Sequence, residues 1–381
     1  MTAIVIGGGI AGLAVGVALK QAGIAVTVFE RAPIISEVGA GLTVWSNGVI
    51  ALDALGLKDK VLAESSVILE SVAITADSRL LSRVDLDKIG RRLGAPSICL
   101  SRGKLQAILL GALGSENVRT GRACVRTEQA GGRVRASFED GTEAESDFLV
   151  AADGIQSGVR LRLHPESRVR RAGYIAWRGL ATRSDSGGLP SGQDVVICAR
   201  GCQAAMLECG SEFLFWYLTR NGAPVPSASP DDRKAEITHR IQGWPGVFTN
   251  CVNATPAAAI LENDLVDVRP LERWGVGRVT FAGDAIHATT PNLGQGAAMG
   301  MEDAVVLGRC LVAGLGVEEA LREYERRRKP RTDWIVRESF RVGRVLQMES
   351  AMGVRLRESF TRTPLAQWMG ERMFMRAMSF K

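Results

Sequence analysis

Three short stretches of this chain combine residue types suited to binding phosphates and sugar hydroxyls. The first is Gly7-Gly8-Gly9-Ile10-Ala11-Gly12. It follows the apolar run Ala3–Ile6 and fits G-x-G-x-x-G, with Gly7, Gly9 and Gly12 in place. Each glycine has its own physical role. Gly7 permits a tight turn, Gly9 lets the backbone approach a pyrophosphate, and Gly12 lets helix and strand pack closely. A helix beginning here turns free N–H groups and a positive dipole end toward the phosphates. Glu30 follows eighteen positions after Gly12, at the tip of a second apolar run, Ala25–Phe29. A carboxylate there can accept the ribose hydroxyls of an adenosine. The glycine pattern alone is weak; strand, helix and acid in this order specify a dinucleotide site.

The second stretch is Ala152-Asp153-Gly154-Ile155-Gln156-Ser157-Gly158-Val159-Arg160. The third is Gly283-Asp284-Ala285-Ile286-His287, which runs on through Thr290-Pro291-Asn292-Leu293-Gly294-Gln295-Gly296-Ala297-Ala298 to Glu302-Asp303. Both follow apolar runs that read as buried strands. The third repeats the construction of the first: a strand ending in an acid, a Pro/Gly-rich turn, and a helix opening with small residues. Its N–H groups can face a second polar partner, and Asp284 can accept a hydroxyl. Either stretch alone could be a structural turn; three in sequence are not coincidence.

These loops need strands and helices to hold them. Strands at Ala3–Ile6 and Ala25–Phe29 flank a helix that Gly23 ends near Gln21, a βαβ opening. Glu37–Val44 reads as glycine-rich and extended, and Ser46-Asn47 as the N-cap of a helix ending near Leu55. Val67–Thr75 and Arg79–Val84 read as strands around the turn Ala76-Asp77-Ser78, Arg91–Pro96 as a loop, and Ser101 as a helix cap. A small meander follows (Ala123–Thr127, Val134–Phe138), then the strand Phe148–Ala151 and a helix from Ser157 to Leu163. The character changes after Ala172. Strands are expected at Tyr174–Ala181, Asp194–Ala199, Ala204–Glu208 and Phe213–Thr219. A Pro/Ser/Ala-rich loop spans Asn221–Pro230, and helices follow at Asp231–Ile241 and Gly246–Val252. Val279–Ala282 returns to the first domain, followed by helices at Gly294–Leu311, from Val317 past Phe340, and at Pro364–Phe380. The fold class is therefore α/β: a discontinuous Rossmann-like domain (1–66, 97–171, 268–345), a β-sheet substrate domain (67–96, 172–267) and a C-terminal helical segment (346–381).

Composition narrows the function further. With 381 residues, 46% hydrophobic and 23% charged, the chain reads as a globular protein with a large core. The uncharged run Ala3–Leu19 is short for a membrane span and is broken by glycines. Seven cysteines without C-x-x-C spacing, and no basic leader, suggest reduced thiols and a cytoplasmic protein. Three histidines without paired spacing argue against a bound metal. The net charge of +6 gathers partly in Arg322–Arg331, but interleaved glutamates make that a solvated helix face rather than a nucleic-acid surface.

In combination the three motifs resemble the class A flavoprotein aromatic hydroxylases. These are single-component FAD monooxygenases related to 4-hydroxybenzoate, salicylate and urate hydroxylases. The likeness spans roughly residues 1–345. It implies that Gly7, Gly9, Ala11, Gly12, Glu30 and Arg31 hold the ADP half of FAD, with Thr43 and Val125 as further cofactor contacts. Arg102 matches an arginine near the flavin phosphates. Asp153 and Gly154 match a motif tied to FAD and the nicotinamide cofactor, and Asp284 is placed on the ribityl chain. Gly294, Gln295, Gly296, Ala297 and Ala298 are placed at the isoalloxazine. Pro291 lines the reaction site. His287 is either part of the chemistry or a structural hydrogen-bonder.

The implied activity is hydroxylation of an aromatic or N-heteroaromatic small molecule through a flavin C4a-hydroperoxide. NADH or NADPH would be the transient reductant and O2 the co-substrate. The absence of a second glycine-rich motif matches the family. An isoprenoid or polyene epoxidase, or a flavin reductase without oxygen transfer, are alternatives on the same fold. The segment Tyr174-Ile175-Ala176-Trp177-Arg178-Gly179 resembles the branch containing urate hydroxylases, zeaxanthin epoxidases, 3-hydroxybenzoate 6-hydroxylases and alkylquinolone 3-monooxygenases, of which a quinolone-like substrate is the favoured expectation. Arg178 would orient a substrate oxygen or form a salt bridge anchoring the sheet. Gln203 falls at the family's urate-binding arginine position, which speaks against urate. Met206, Phe215 and Tyr217 would line an apolar pocket or simply pack. The final helix, with Leu365, Trp368, Met369, Met373, Phe374 and Met378, would cover a pocket mouth, touch a membrane surface or dock on the core. The protein is expected as a monomer or homodimer.

Overall fold

A computed structural model describes residues 1–35, 40–224 and 229–380. Glu37–Gly39 of the expected extended segment, and Val225–Ala228 of the expected loop, lie outside the described residues.

The opening βαβ forms as its pattern requires. Strands Thr2–Ile6 and Ala25–Phe29 pair in parallel around the helix Ile10–Gln21. The uncharged run is thus a buried strand and helix. Among the described residues no helix is long and apolar enough to cross a membrane. Phe148–Ala151 pairs with the first strand, and Val279–Phe281 pairs with Phe148–Ala151 in turn. Val118–Arg119 completes a five-stranded parallel sheet on the far side of Ala25–Phe29. Parallel strands buried on both faces read as continuous apolar runs, as Phe148–Ala151 does. The meander Cys124–Ala130, Arg133–Phe138 and Glu143–Ser146 forms a separate three-stranded sheet.

A seven-stranded sheet gathers strands from two distant stretches. Glu70–Thr75 and Leu80–Asp85 lie beside Gln193–Ala199, Cys202–Cys209, Phe213–Asn221, Val169–Thr182 and Leu261–Val268. One face is covered by helices Pro230–Arg240 and Gly246–Ala254, enclosing Trp177, Trp216, Ile237 and Phe248. The other face looks toward the glycine loops, with Phe215, Leu207 and Cys209 packed against Trp45 and Cys99.

Several local expectations are corrected. Ser46 and Asn47 are not caps: the helix Ser46–Ala54 has Trp45 at its N-cap, and both residues are fully buried. Arg91–Pro96 is not all loop, because Leu86–Leu93 is helical. Asp85 caps that helix by accepting from the Lys88 amide at 2.7 Å, and Gly94 ends it at φ +91°. The strand expected at Val67–Thr75 divides at Leu69 into Ser66–Ile68 and Glu70–Thr75. The helix expected from Gly294 begins at Gly296, after a separate turn of helix at Asp284–His287. The strand Leu261–Val268 has no counterpart in the expected elements, while the helix Ala351–Thr361 falls within the expected C-terminal helical segment.

Candidate active site

Ile6, Ala151 and Phe281 end three adjacent parallel strands. The first glycine loop, Asp153 and Gly283-Asp284 therefore emerge side by side at one sheet edge, where parallel α/β sheets bind ligands. Gly7 has φ +109°, and a Cβ there would collide with the Ala152 carbonyl. A Cβ on Gly12 would collide with the Gly7 carbonyl oxygen. Gly9 differs: a Cβ there would meet nothing within 4 Å, and its helix has no side-chain N-cap. Open space in front of uncapped N–H groups fits a pyrophosphate. Ala11 packs its methyl against the third motif, since a Cβ on Gly300 would stand 2.8 Å from the Ala11 Cβ.

Glu30 is held firmly. Its Oε2 accepts from the Gly8 amide at 2.6 Å and its Oε1 from the Ala32 amide at 2.8 Å. Arg31 beside it is exposed. Thr43 sits half-buried in the strand Gly41–Val44, opposite Cys99. Val125 is 48% exposed and begins the meander next to Cys124, whose thiol is pushed up by burial and further by Asp153. Asp153 Oδ2 accepts from the Val159 amide at 3.4 Å, while its Oδ1 is buried with no partner among the described residues. Such an orphaned acceptor is the kind of group a cofactor hydroxyl would satisfy.

Asp284 is open to solvent, yet protein surrounds it on most sides. A carboxylate on a cleft floor has this combination. Burial pushes its pKa up, while His287 and Arg102 pull against that shift. Arg102 is exposed at the start of the helix Arg102–Leu113, which Ser101 caps as expected. Burial drives the Arg178 pKa down, and the Arg102 charge adds to that shift. Arg178 makes no ion pair among the described residues, so the sheet-anchoring salt bridge is not formed. It donates through Nη2 to Asn263 Oδ1, and its Nε is buried with no partner among the described residues. An incompletely bonded guanidinium can donate to one further oxygen acceptor.

Strand register decides which neighbours share that space. Tyr217 pairs with Arg178 on one side and Ala205 on the other, and Ala205 pairs with Val196. Side chains alternate along strands, so Arg178, Tyr217, Phe215 and Gln203 all lie on the face toward the glycine loops. Met206 does not. It is buried with Trp177 and Trp216 under the covering helices, which removes it from the pocket. Phe215 packs against Gly41, where an added Cβ would stand 2.5 Å from its own Cβ. The Tyr217 hydroxyl has no partner among the described residues, and burial raises its pKa far up. One residue on this face carries no sequence motif. Asp194, paired with Leu207 and hydrogen-bonded by Ser71 at 2.9 Å, is buried, and burial lifts its pKa to about 6. A lone acid in an otherwise apolar strand was the available signal.

Behind the third motif lies a buried ionic network. Arg328 donates to Asp303 Oδ1 at 2.7 Å and pairs with Glu302 at 2.7 Å; Arg331 also pairs with Glu302 at 2.7 Å. Asp303 Oδ2 accepts from the Gly283 amide at 2.8 Å and meets His287 Nε2 at 2.6 Å. Burial alone would raise the Asp303 pKa, but His287 and Arg328 outweigh it and hold it at about 2. His287 is buried against Asp303 and Trp274, the arrangement of the structural hydrogen-bonder, while its Nδ1 has no partner among the described residues. The Gln295 side chain is likewise turned away, accepting from Asn47 Nδ2 at 2.7 Å, so only its backbone can meet a ring. Gly294 adopts φ +61° over Trp45, whose Nε1 donates to the Leu293 carbonyl at 3.0 Å. Pro291 opens the preceding turn and is exposed; Gly296 and Ala297 are half-buried and Ala298 buried at the helix start.

A family described as FAD binding domain matches residues 1–339, and the chain belongs to it. Within it, the relatives are monooxygenases of the aromatic hydroxylase type. The aurachin C monooxygenase/isomerase of Stigmatella aurantiaca is 34% identical over 95% of this chain and 94% of its own length. The 2-heptyl-3-hydroxy-4(1H)-quinolone synthase of Pseudomonas aeruginosa is 30% identical over 95% of this chain and 94% of its own. The structure of Klebsiella pneumoniae HpxO with FAD and uric acid superposes with a TM-score of 0.92 at 28% identity, covering 99% of this chain and 97% of the other. The protein is an FAD-dependent monooxygenase, and the uncapped glycine loop and orphaned Asp153 Oδ1 fit that cofactor.

Proposed function

We propose that this enzyme uses NADH or NADPH and O2 to hydroxylate a hydrophobic N-heteroaromatic ring of the quinolone kind. The observation that carries the reading is the unpartnered Nε of half-buried Arg178, on the same sheet face as Tyr217 and Phe215. A ring carbonyl or enolate oxygen would complete that guanidinium, and the aromatic side chains would flank the ring. The relative acting as a heptyl-quinolone synthase supports this choice. A polyene epoxidase needs an apolar tunnel without such a polar anchor, and Arg178 speaks against it.

Gly7, Gly9, Ala11, Gly12, Glu30 and Arg31 would hold the adenosine and pyrophosphate of FAD, with Arg102 supplying positive charge. Asp153 and Asp284 would accept hydroxyls of its sugar parts. When bound, FAD supplies the electron storage and oxygen transfer. The protein's own part is to orient the substrate oxygen at Arg178 and to exclude water with Phe215, Tyr217 and Trp45. The division into an FAD-binding domain and a sheet-based substrate domain belongs to the same proposal, and the separate five- and seven-stranded sheets support it.

The test is rapid-mixing reduction of the FAD-loaded enzyme by NADH and by NADPH. It is run alone and with 2-alkyl-4(1H)-quinolones, hydroxybenzoates, urate or polyenes. A quinolone should accelerate reduction by on the order of 10²-fold or more and emerge hydroxylated when oxygen is admitted. Acceleration and oxygenation by a polyene alone would replace the proposal with the epoxidase.

A further inference from the structure

The chain ends in two helices, Ala351–Thr361 and Pro364–Met378. On the first, Met352, Leu356 and Phe360 recur every four residues along one face, 72%, 65% and 50% exposed. On the second, Leu365, Trp368 and Met369 share a face and are 58%, 52% and 50% exposed. The opposite face of that helix is already used. Phe374 meets Trp45 edge-on at 5.9 Å, and Ala377 and Met378 are buried. The helix therefore has two apolar faces, of which the protein covers one. Eight of the eighteen exposed large apolar side chains among the described residues fall between Val345 and Met369. That concentration marks an interaction surface rather than scattered exposure.

The charge around this patch is net positive. Residues 341–380 hold seven arginines and three glutamates, which is +4 of the chain's +6. Arg355, Arg362 and Arg372 are exposed and make no ion pair among the described residues, and Arg372 lies over the Trp368 ring at 4.6 Å. Between these helices and the end of the helix Val317–Leu346 a groove of about 1060 Å³ opens. Leu356, Phe360 and Met369 line it, and Arg341, Arg372 and Arg376 stand at its edge.

We infer that this helical pair docks the enzyme on a bilayer containing anionic phospholipid. Exposed Trp, Phe, Leu and Met beside unpaired arginines is the composition of an interfacial helix. The arginines supply attraction to acidic headgroups and the apolar side chains supply insertion. A second copy of this chain is a poor occupant, because two such basic surfaces would repel. The contact is peripheral, since no described helix can span. It does not depend on which compound the enzyme oxidises.

The experiment is flotation of the FAD-loaded full-length protein with extruded vesicles. One set is phosphatidylcholine alone and the other contains about a third phosphatidylglycerol. The native protein should float with the anionic vesicles at low salt and be largely released at about 0.5 M NaCl. The double substitutions Leu365→Ser/Trp368→Ser and Arg355→Glu/Arg362→Glu should each weaken flotation about tenfold or more. All four side chains are exposed, so unchanged flavin absorbance and melting temperature report an intact fold. Failure of the native protein to float with anionic vesicles overturns the inference. So does equal flotation with neutral vesicles, or a dimer in sedimentation that these substitutions dissociate.

Discussion

Arg160 Nη1 donates to the carbonyl oxygen of Ala285 at 2.6 Å, across 125 positions of sequence. The same guanidinium reaches the Ile155 carbonyl at 2.6 Å and Ser167 Oγ at 3.1 Å, with no exposed surface. It thus clamps the Asp153 loop to the Asp284 turn, the two motifs that flank the proposed cofactor. Replacing it with leucine strands two buried carbonyls and should cost ~3 kcal/mol or more. Arg160→Leu is expected to melt lower and to lose FAD on gel filtration. Retained flavin with native melting would show that the two loops hold their positions without the clamp.

Gly9 and Gly12 separate fold from binding. A Cβ at Gly12 meets the Gly7 carbonyl, whereas one at Gly9 meets empty space. Gly12→Ala should therefore destabilise the apoprotein by ~2 kcal/mol or more through forced separation of helix and strand. Gly9→Ala should leave apoprotein melting within about 0.5 kcal/mol of native, apart from the favourable effect of alanine on the unfolded chain. Its FAD affinity should nonetheless fall at least about tenfold, because the methyl stands where the pyrophosphate would approach. Flavin titration and thermal melting of both apoproteins check the contrast.

The glycine loops were legible because each is a local signal: apolar strand, turn residues, small-residue helix start. Their convergence followed from parallel strand order alone. The face of the second sheet was only half legible. Phe215 and Tyr217 are two apart and so share a face, as expected. Gln203 and Met206 are three apart in one strand, so they cannot both line one pocket, and register put Met206 under the covering helices. Asn47 was read as a local cap because its decisive partner, Glu302 at 2.7 Å, lies 255 residues away. His287 shows the same limit, since its role is set by Asp303 and Trp274 rather than by its own motif. Long-range polar pairing leaves no periodic trace in a sequence.

Asp194 gives a stability test with a definite sign. Burial raises its pKa from the ordinary 3.8 to about 6 in the folded chain. Below pH 3.8 the carboxyl is protonated folded and unfolded, so it carries no penalty. As pH rises from 3.8 through 6 the unfolded chain ionises first and stability falls. Above that range the full penalty applies, ~3 kcal/mol for a shift of this size. Asp194→Asn, which keeps a partner for Ser71, should therefore be more stable than native at pH 7.5, with the gap closing toward pH 4. Denaturant midpoints at the two pH values measure it. Equal midpoints at pH 7.5 would mean that the carboxyl is better solvated than its burial beside Leu207 indicates.

Arg178 is where fold and proposed chemistry meet, and its substitution should split binding from cofactor loading. The glycine loops, Asp153 and Asp284 all come from the parallel sheet, whereas Arg178 comes from the seven-stranded sheet. Arg178→Gln should therefore retain FAD. It also relieves the burial of a charge that lowers the Arg178 pKa, to which the Arg102 charge adds, so no loss of melting temperature is expected. What it removes is the charged donor for a substrate oxygen, worth ~2–3 kcal/mol. Stimulation of NAD(P)H oxidation by the accepted quinolone should drop by about 10²-fold, mostly as a rise in KM if the bond is made equally in ground and transition states. A fall in kcat at unchanged KM would instead place the guanidinium on charge that develops during oxygen transfer. An unchanged kcat/KM would remove Arg178 from the substrate contacts and leave Tyr217 and Gln203 as the candidate polar contacts on that face.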